Sequence, residues 1–270
     1  MTYCVGLLLD AGMVLLTDTR TNAGLDNIAI YKKMFLFEEP GERVIAIATA
    51  GSLSVTQTTI ARLREAIDDK DASPESSIMK APTMLKVASI IGDMLCRVRQ
   101  EIDEKLATMK QGASASMIVA GQRKGGAMRL FLIYPEGNFI EATEDTPFLQ
   151  IGEHKYGKPI LDRVVKPATS LADAEKAVLL SMDSTLRSNL SVGMPLDLCL
   201  IARDACRVTK TRRIEAGDAA FRAMSEAWSK ALRDGFTQIT LWGLLPPPGV
   251  SHPRTPVGYL GTGEWRENFN

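Results

Sequence analysis

Two apolar runs separated by a short turn constrain this 270-residue chain more than any other feature. From Tyr3 to Asp10 nearly every residue is apolar, Asp10-Ala11-Gly12 supplies turn chemistry, and Met13-Val14-Leu15-Leu16 is apolar again. A strand with one wet face alternates apolar and polar side chains. These strands do not, so the hairpin is expected to be covered on both faces. Centring the turn on Ala11 sets Asp18 opposite Cys4 and Arg20 opposite Thr2. A carboxylate then returns beside the N-terminus, the alternative being a solvated turn residue.

The rest of the chain alternates blocks of strands and helices. After a polar loop, 19–27, an extended stretch runs from Ile28 to Phe37 with Lys32-Lys33 inside it, and another strand spans Val44 to Ala50. Ser52 is placed to cap a helix with apolar positions Ile60, Leu63 and Ile67. A second helix carries Met84, Val87, Ile91, Met94, Val98, Ile102 and Met109 down one face. Strands follow over 114–121, 128–134, 139–142 and 148–151. Ser170-Leu171-Ala172-Asp173 reads as a capping box, and the bend 188–193 leads to strands 196–202 and 206–213. A last amphipathic helix shows Phe221, Met224, Trp228 and Leu232. This order predicts an α+β fold, a four-layer αββα sandwich of two antiparallel sheets. Residues 1–235 form that domain. Residues 236–270 form a Pro- and Trp-containing C-terminal extension with Trp242 and Trp265, expected to dock on the domain or on a neighbouring subunit.

Composition narrows the partners. Lys+Arg and Asp+Glu are equal at 32 each, which gives no reason to expect nucleic acid or an anionic membrane. No apolar run is long enough to span a bilayer and the N-terminus lacks signal-peptide order, so a cytoplasmic protein is expected. Cys4, Cys96, Cys199 and Cys206 contain no C-x-x-C pair and read as free thiols, with no metal or other cofactor implied. The two histidines, His154 and His252, sit in loop-like contexts that do not suit a catalytic triad.

Chemistry concentrates at Met1-Thr2. If Met1 is removed, a small second residue permitting it, Thr2 carries a hydroxyl nucleophile and a free α-amine, which titrates near enough to neutrality to serve as a base. Taken alone the dipeptide is read first as simply where translation began. A lysine in an apolar strand guards an edge, or it lowers the proton affinity of a neighbouring amine by like-charge repulsion.

These residues together carry a resemblance. Thr2, Asp18-x-Arg20, Lys32-Lys33 followed by Met34-Phe35, Ala50-Gly51-Ser52 before a helix, and the 188–193 bend before Asp197 resemble the proteasome β-subunit and HslV superfamily of N-terminal nucleophile hydrolases, in its bacterial Anbu, or ancestral β-subunit, branch. The resemblance covers residues 2–213. It implies a threonine-type peptidase or amide hydrolase with Thr2 as nucleophile, Asp18 and Lys33 as supporting pair (Lys32 if the register shifts by one), Arg20 beside the carboxylate, Gly51 N–H as oxyanion donor and Ser191 bonded to the terminal amine. Asn22, Thr49 and Leu53 would line the substrate. Glu153 stands where the family has a serine, and Ser188 where it has an aspartate. A homo-oligomer, ring or open helical stack, acting on a peptide or amide substrate is implied, with a regulatory partner left open. A weakly active or non-catalytic assembly subunit, and an amidase on a non-standard amide bond, are the alternative readings.

Overall fold

The computed structural model describes residues 2–22, 28–106 and 112–239. Strands β1 (Tyr3–Leu9) and β2 (Gly12–Asp18) form the hairpin and lie inside a five-stranded sheet, flanked by β10 (Phe148–Gly152) on one side and by β11 (Leu196–Ala202) and β12 (Lys210–Ile214) on the other. The second sheet runs in sequence order through β5 (Met34–Glu39), β6 (Arg43–Gly51), β7 (Ala115–Arg123), β8 (Arg129–Ile133) and β9 (Phe139–Glu141). Both are antiparallel throughout. A separate ribbon pairs β3 (Arg20–Asn22) with β4 (Ile28–Ile30).

Three apolar clusters show why the hairpin does not alternate. Tyr3, Val5 and Leu7 face one way, packing with Leu161 of α3 (Lys158–Val164), with Val178 and Met182 of α4 (Leu171–Ser188), and with Phe221 at the start of α5 (Ala219–Gln238). Cys4, Met13 and Leu15 face the other way, meeting Ala46, Ala48 and Ile118 of the second sheet. That sheet's outer face, with Ile45, Ile47 and Val119, is covered by Leu63 of α1 (Leu53–Asp68) and by Ile91 and Leu95 of α2 (Met84–Leu106). Period-two alternation therefore sorts side chains between two dry compartments, and the architecture is the four-layer αββα sandwich. Gly6 lets the sheets close, since a Cβ there would lie 3.0 Å from Leu130 Cδ1.

Four local expectations are corrected. The hairpin register pairs Cys4 with Thr17 and Leu9 with Gly12, because the loop holds only Asp10 and Ala11; continued, it carries Asp18 to Tyr3 rather than to Cys4. Gly12 begins β2 at φ 147°, where a Cβ would sit 2.3 Å from the Ile201 carbonyl oxygen. The expected 19–27 loop holds β3 at its start, and the 28–37 stretch breaks into β4 and β5 because Lys33 turns inward between them, so Arg20 belongs to the ribbon and not opposite Thr2. Ser52 precedes α1 without a side-chain cap bond, its hydroxyl lying 3.0 Å from that of Ser54, whereas Ser170 Oγ accepts from Asp173 N at 3.1 Å as expected. The last strand starts at Lys210 rather than Cys206, because Asp204 and Cys206 adopt φ of 60° and 44° in a turn whose Asp204 N–H donates to Gln122 Oε1.

The chain divides into two units, Met1–Ala227 and Trp228–Asn270, with α5 crossing the boundary. All of the packing above belongs to the first. In the second, Leu232, Phe236 and Ile239 are exposed. Most of the expected 236–270 extension, with Trp242 and Trp265, lies outside the described residues, as does Met109. The four cysteines are free, and no helix among the described residues is long and apolar enough to cross a membrane.

Phe131 is fully buried and meets Phe139 edge-on, with ring centroids 5.5 Å apart. Phe131→Ala is expected to cost about 3–5 kcal/mol, read as a lower urea midpoint with an unchanged slope.

Candidate active site

The hairpin brings Asp18 to the end of β2, beside the first described residue of the chain. Its carboxylate is completely buried and is claimed from three directions. Oδ1 accepts from Tyr3 N at 3.1 Å and from Lys33 Nζ at 2.8 Å, and Oδ2 accepts from Gly193 N at 3.2 Å. Lys33, only 5% exposed, also donates to the Arg20 carbonyl at 2.6 Å. Burial pushes the Asp18 carboxyl above the usual carboxylate range, and the Lys33 ammonium with the Tyr3 and Gly193 amides works against that rise. Lys32 is exposed and lines a cavity with Asp197 and Arg213. Of the two lysines, the structure thus brings Lys33 to Asp18.

Thr2 is 7% exposed and is fixed through its neighbours. Its carbonyl accepts from Glu153 N at 2.7 Å, and the Tyr3 amide is held by Asp18. Gly152 sits at φ 81°, and a Cβ there would lie 1.9 Å from the Thr2 carbonyl oxygen, so only glycine allows the two strands this approach. The Tyr3 ring is buried in the core with its hydroxyl 2.6 Å from Ser181 Oγ and accepting from Gln150 Nε2 at 2.5 Å. Burial pushes the phenol's pKa up to about 12, the hydrogen bonds with Ser181 and Gln150 working against that rise. Tyr3, Gly152 and Gly193 were not singled out from the sequence; the one signal was a tyrosine within an aliphatic strand, which must find a polar partner when buried.

Arg20 is half-buried, donates to the Leu190 carbonyl at 2.9 Å and packs so close to Gly193 that a Cβ there would lie 2.2 Å from its Nε. Thr49 N donates to the Lys33 carbonyl at 2.9 Å, tying β6 to the lysine. Gly51 ends β6 at φ 104° opposite Ala115, and Ser52 N donates to Ser114 O at 2.8 Å. Ladder alternation then points the Ala50 carbonyl at β7 and the Gly51 N–H away from it, toward the edge where Thr49 meets Lys33. Leu53 is half-buried at the first turn of α1, and the Asn22 side chain lies outside the described residues. Ser191 is half-buried, its amide donating to Asn189 Oδ1 at 2.9 Å, while Ser188 is exposed at the end of α4. The Glu153 side chain is 17% exposed, with Lys155 Nζ at 4.0 Å. No group of three or more candidate metal ligands occurs among the described residues.

The model of the proteasome subunit family matches residues 2–201. Among solved structures, an Anbu (Gly-1) mutant from Hyphomicrobium sp. strain MC1 is 48% identical, with a TM-score of 0.83 over 90% of this chain and 100% of that one. The chain belongs to the proteasome subunit family, in its Anbu branch. Anbu from Yersinia bercovieri is 39% identical with a TM-score of 0.82, covering 88% of this chain and 98% of that one. A structure described as a helical assembly of the Anbu complex from Pseudomonas aeruginosa is 40% identical with a TM-score of 0.82, covering 92% and 100%. Among curated proteins none matches the chain. Membership of this family supports a hydrolase at the coarse level.

Removing one member of a buried ion pair strands the other. Asp18→Asn is expected to lower unfolding free energy by about 3–5 kcal/mol, whereas the double substitution Asp18→Asn with Lys33→Met should recover part of that loss in the same denaturation measurement.

Proposed function

We propose that the protein is a self-assembling N-terminal threonine hydrolase that cleaves peptide or related amide bonds with Thr2 as nucleophile once Met1 is lost. The observation that carries the reading is the buried Asp18–Lys33 pair, anchored to the amide of the residue next to Thr2. In this mechanism the Thr2 hydroxyl gives its proton to its own α-amine as Oγ bonds to the substrate carbonyl carbon. The resulting ammonium returns the proton to the departing amine nitrogen as the amide bond breaks, leaving an acyl ester that water then hydrolyses. Lys33, held in place by Asp18, favours the neutral, basic form of the amine by like-charge repulsion. The Gly51 N–H serves the developing oxyanion, a role supported by its direction on the β6 edge. Ser191 would bond the amine, with Arg20 ordering the bend that carries it. Asn22, Thr49 and Leu53 would flank the substrate strand.

The helical assembly of the Pseudomonas aeruginosa relative supports self-association of this chain as well, as a ring or an open helix.

Intact mass after incubation with an electrophilic β-lactone tests the nucleophile. We expect loss of Met1, one lactone equivalent on the wild type, and none on Thr2→Ala. Lys33→Ala should slow acylation by about 100-fold to 10,000-fold, the span that general acid–base catalysis contributes. Retention of Met1, or equal labelling of Thr2→Ala, would sink the mechanism and favour a non-catalytic assembly subunit.

A further inference from the structure

Asp18 already accepts three hydrogen bonds, from Lys33 and from two backbone amides. A second carboxylate stands on the other side. The β1–β10 register pairs Cys4 with Ile151 and Tyr3 with Gly152, and it continues to Thr2 and Glu153, where Glu153 N donates to the Thr2 carbonyl at 2.7 Å. Gly152, at φ 81°, ends the strand here, so the closeness of Glu153 to Thr2 rests on this one backbone bond. The Glu153 side chain is mostly buried, and its ion-pair partner Lys155 is at the 4.0 Å limit and itself largely exposed. It is a carboxylate held beside the chain's start without a tight partner among the described residues.

We propose that the Glu153 carboxylate is the counter-ion of the Thr2 α-ammonium and sets the pH at which that amine becomes a base. The inference rests on the Thr2 reading above and adds a residue to it. The charged groups on the segments linked to Thr2 and Tyr3 are Asp18 from β2, Lys33 bonded to it, Arg20 whose carbonyl Lys33 holds, and Glu153, His154 and Lys155 after β10. Asp18 is bonded to Lys33, which opposes the ammonium, and the His154 ring is turned to the Gly152 carbonyl at 3.0 Å. Glu153 is thus an anion bonded through its backbone to Thr2, with its ion-pair partner Lys155 at 4.0 Å. When Thr2 Oγ passes its proton to the amine, the ammonium forms opposite this carboxylate, which stabilises it until the proton leaves with the departing amine nitrogen. The same attraction raises the amine's pKa, so the neutral base is scarcer at low pH. Glu153 is a positioning residue by this account.

Reductive ¹³C-methylation of the full-length protein, followed by NMR titration of the dimethylated N-terminal amine, reads that pKa without requiring turnover. Glu153→Gln and Glu153→Ser should each lower it by about one pH unit relative to the wild type, and the acid limb of lactone acylation should move down with it, making the variants about tenfold faster below the wild-type limb. An amine pKa that stays in place or rises in both variants overturns the role of Glu153, including where their unfolding midpoints fall. Failure of the Thr2 reading would be seen separately, as retained Met1 or equal lactone labelling of Thr2→Ala.

Discussion

One ion pair organises the N-terminal end of the sandwich. Asp18 and Lys33 bury opposite charges where neither would be stable alone, and the remaining valences of both are used to fasten backbone: the Tyr3 amide, the Gly193 amide and the Arg20 carbonyl. Three distant segments are thereby fixed around Thr2. Replacing the pair by apolar groups would fill the volume, but nothing apolar could hold those three backbone groups at once.

The pair works because of where the sandwich puts it. β1 and β2 are interior strands, dry on both faces, so Thr2 immediately precedes a strand that has little freedom to shift in register. Gly152 lets β10 approach the Thr2 carbonyl closely, and Gly193 lets the bend after α4 accommodate the Arg20 side chain. Each glycine serves a contact that a side chain would obstruct. The chemistry is therefore held by strand ends and a bend, with the helices outside acting on it only through the cores they cover.

The layer architecture was legible in the sequence because unalternating apolar strands and strongly periodic helices leave few other ways to bury their surfaces. Thr2, Asp18 and Lys33 were legible through a pattern of residues, and their meeting around one carboxylate is seen in the structure. The hairpin register was not: one residue more or less in the Asp10-Ala11 turn moves Asp18 between facing Cys4 and facing Tyr3, and turn chemistry alone admits both. The β3–β4 ribbon was hidden for a different reason. Polar residues such as Arg20 and Thr21 look like loop until Lys33 is known to fold inward and split the strand. Tyr3's phenol, Gly193's amide and Glu153's place opposite Thr2 depend on contacts between residues more than a hundred positions apart, which no local pattern encodes.

That separation in sequence has a temporal side. Thr2 is the first of these residues to leave the ribosome, yet Glu153, Ser181 and Gly193, which bond Thr2, Tyr3 and Asp18 in turn, are made last. The β1–β2 hairpin can form early from local contacts, but its flanking strands β10 and β11 must wait for most of the chain. A nascent chain therefore carries its threonine without the surroundings that would hold it, and the cluster closes only when the sheet does.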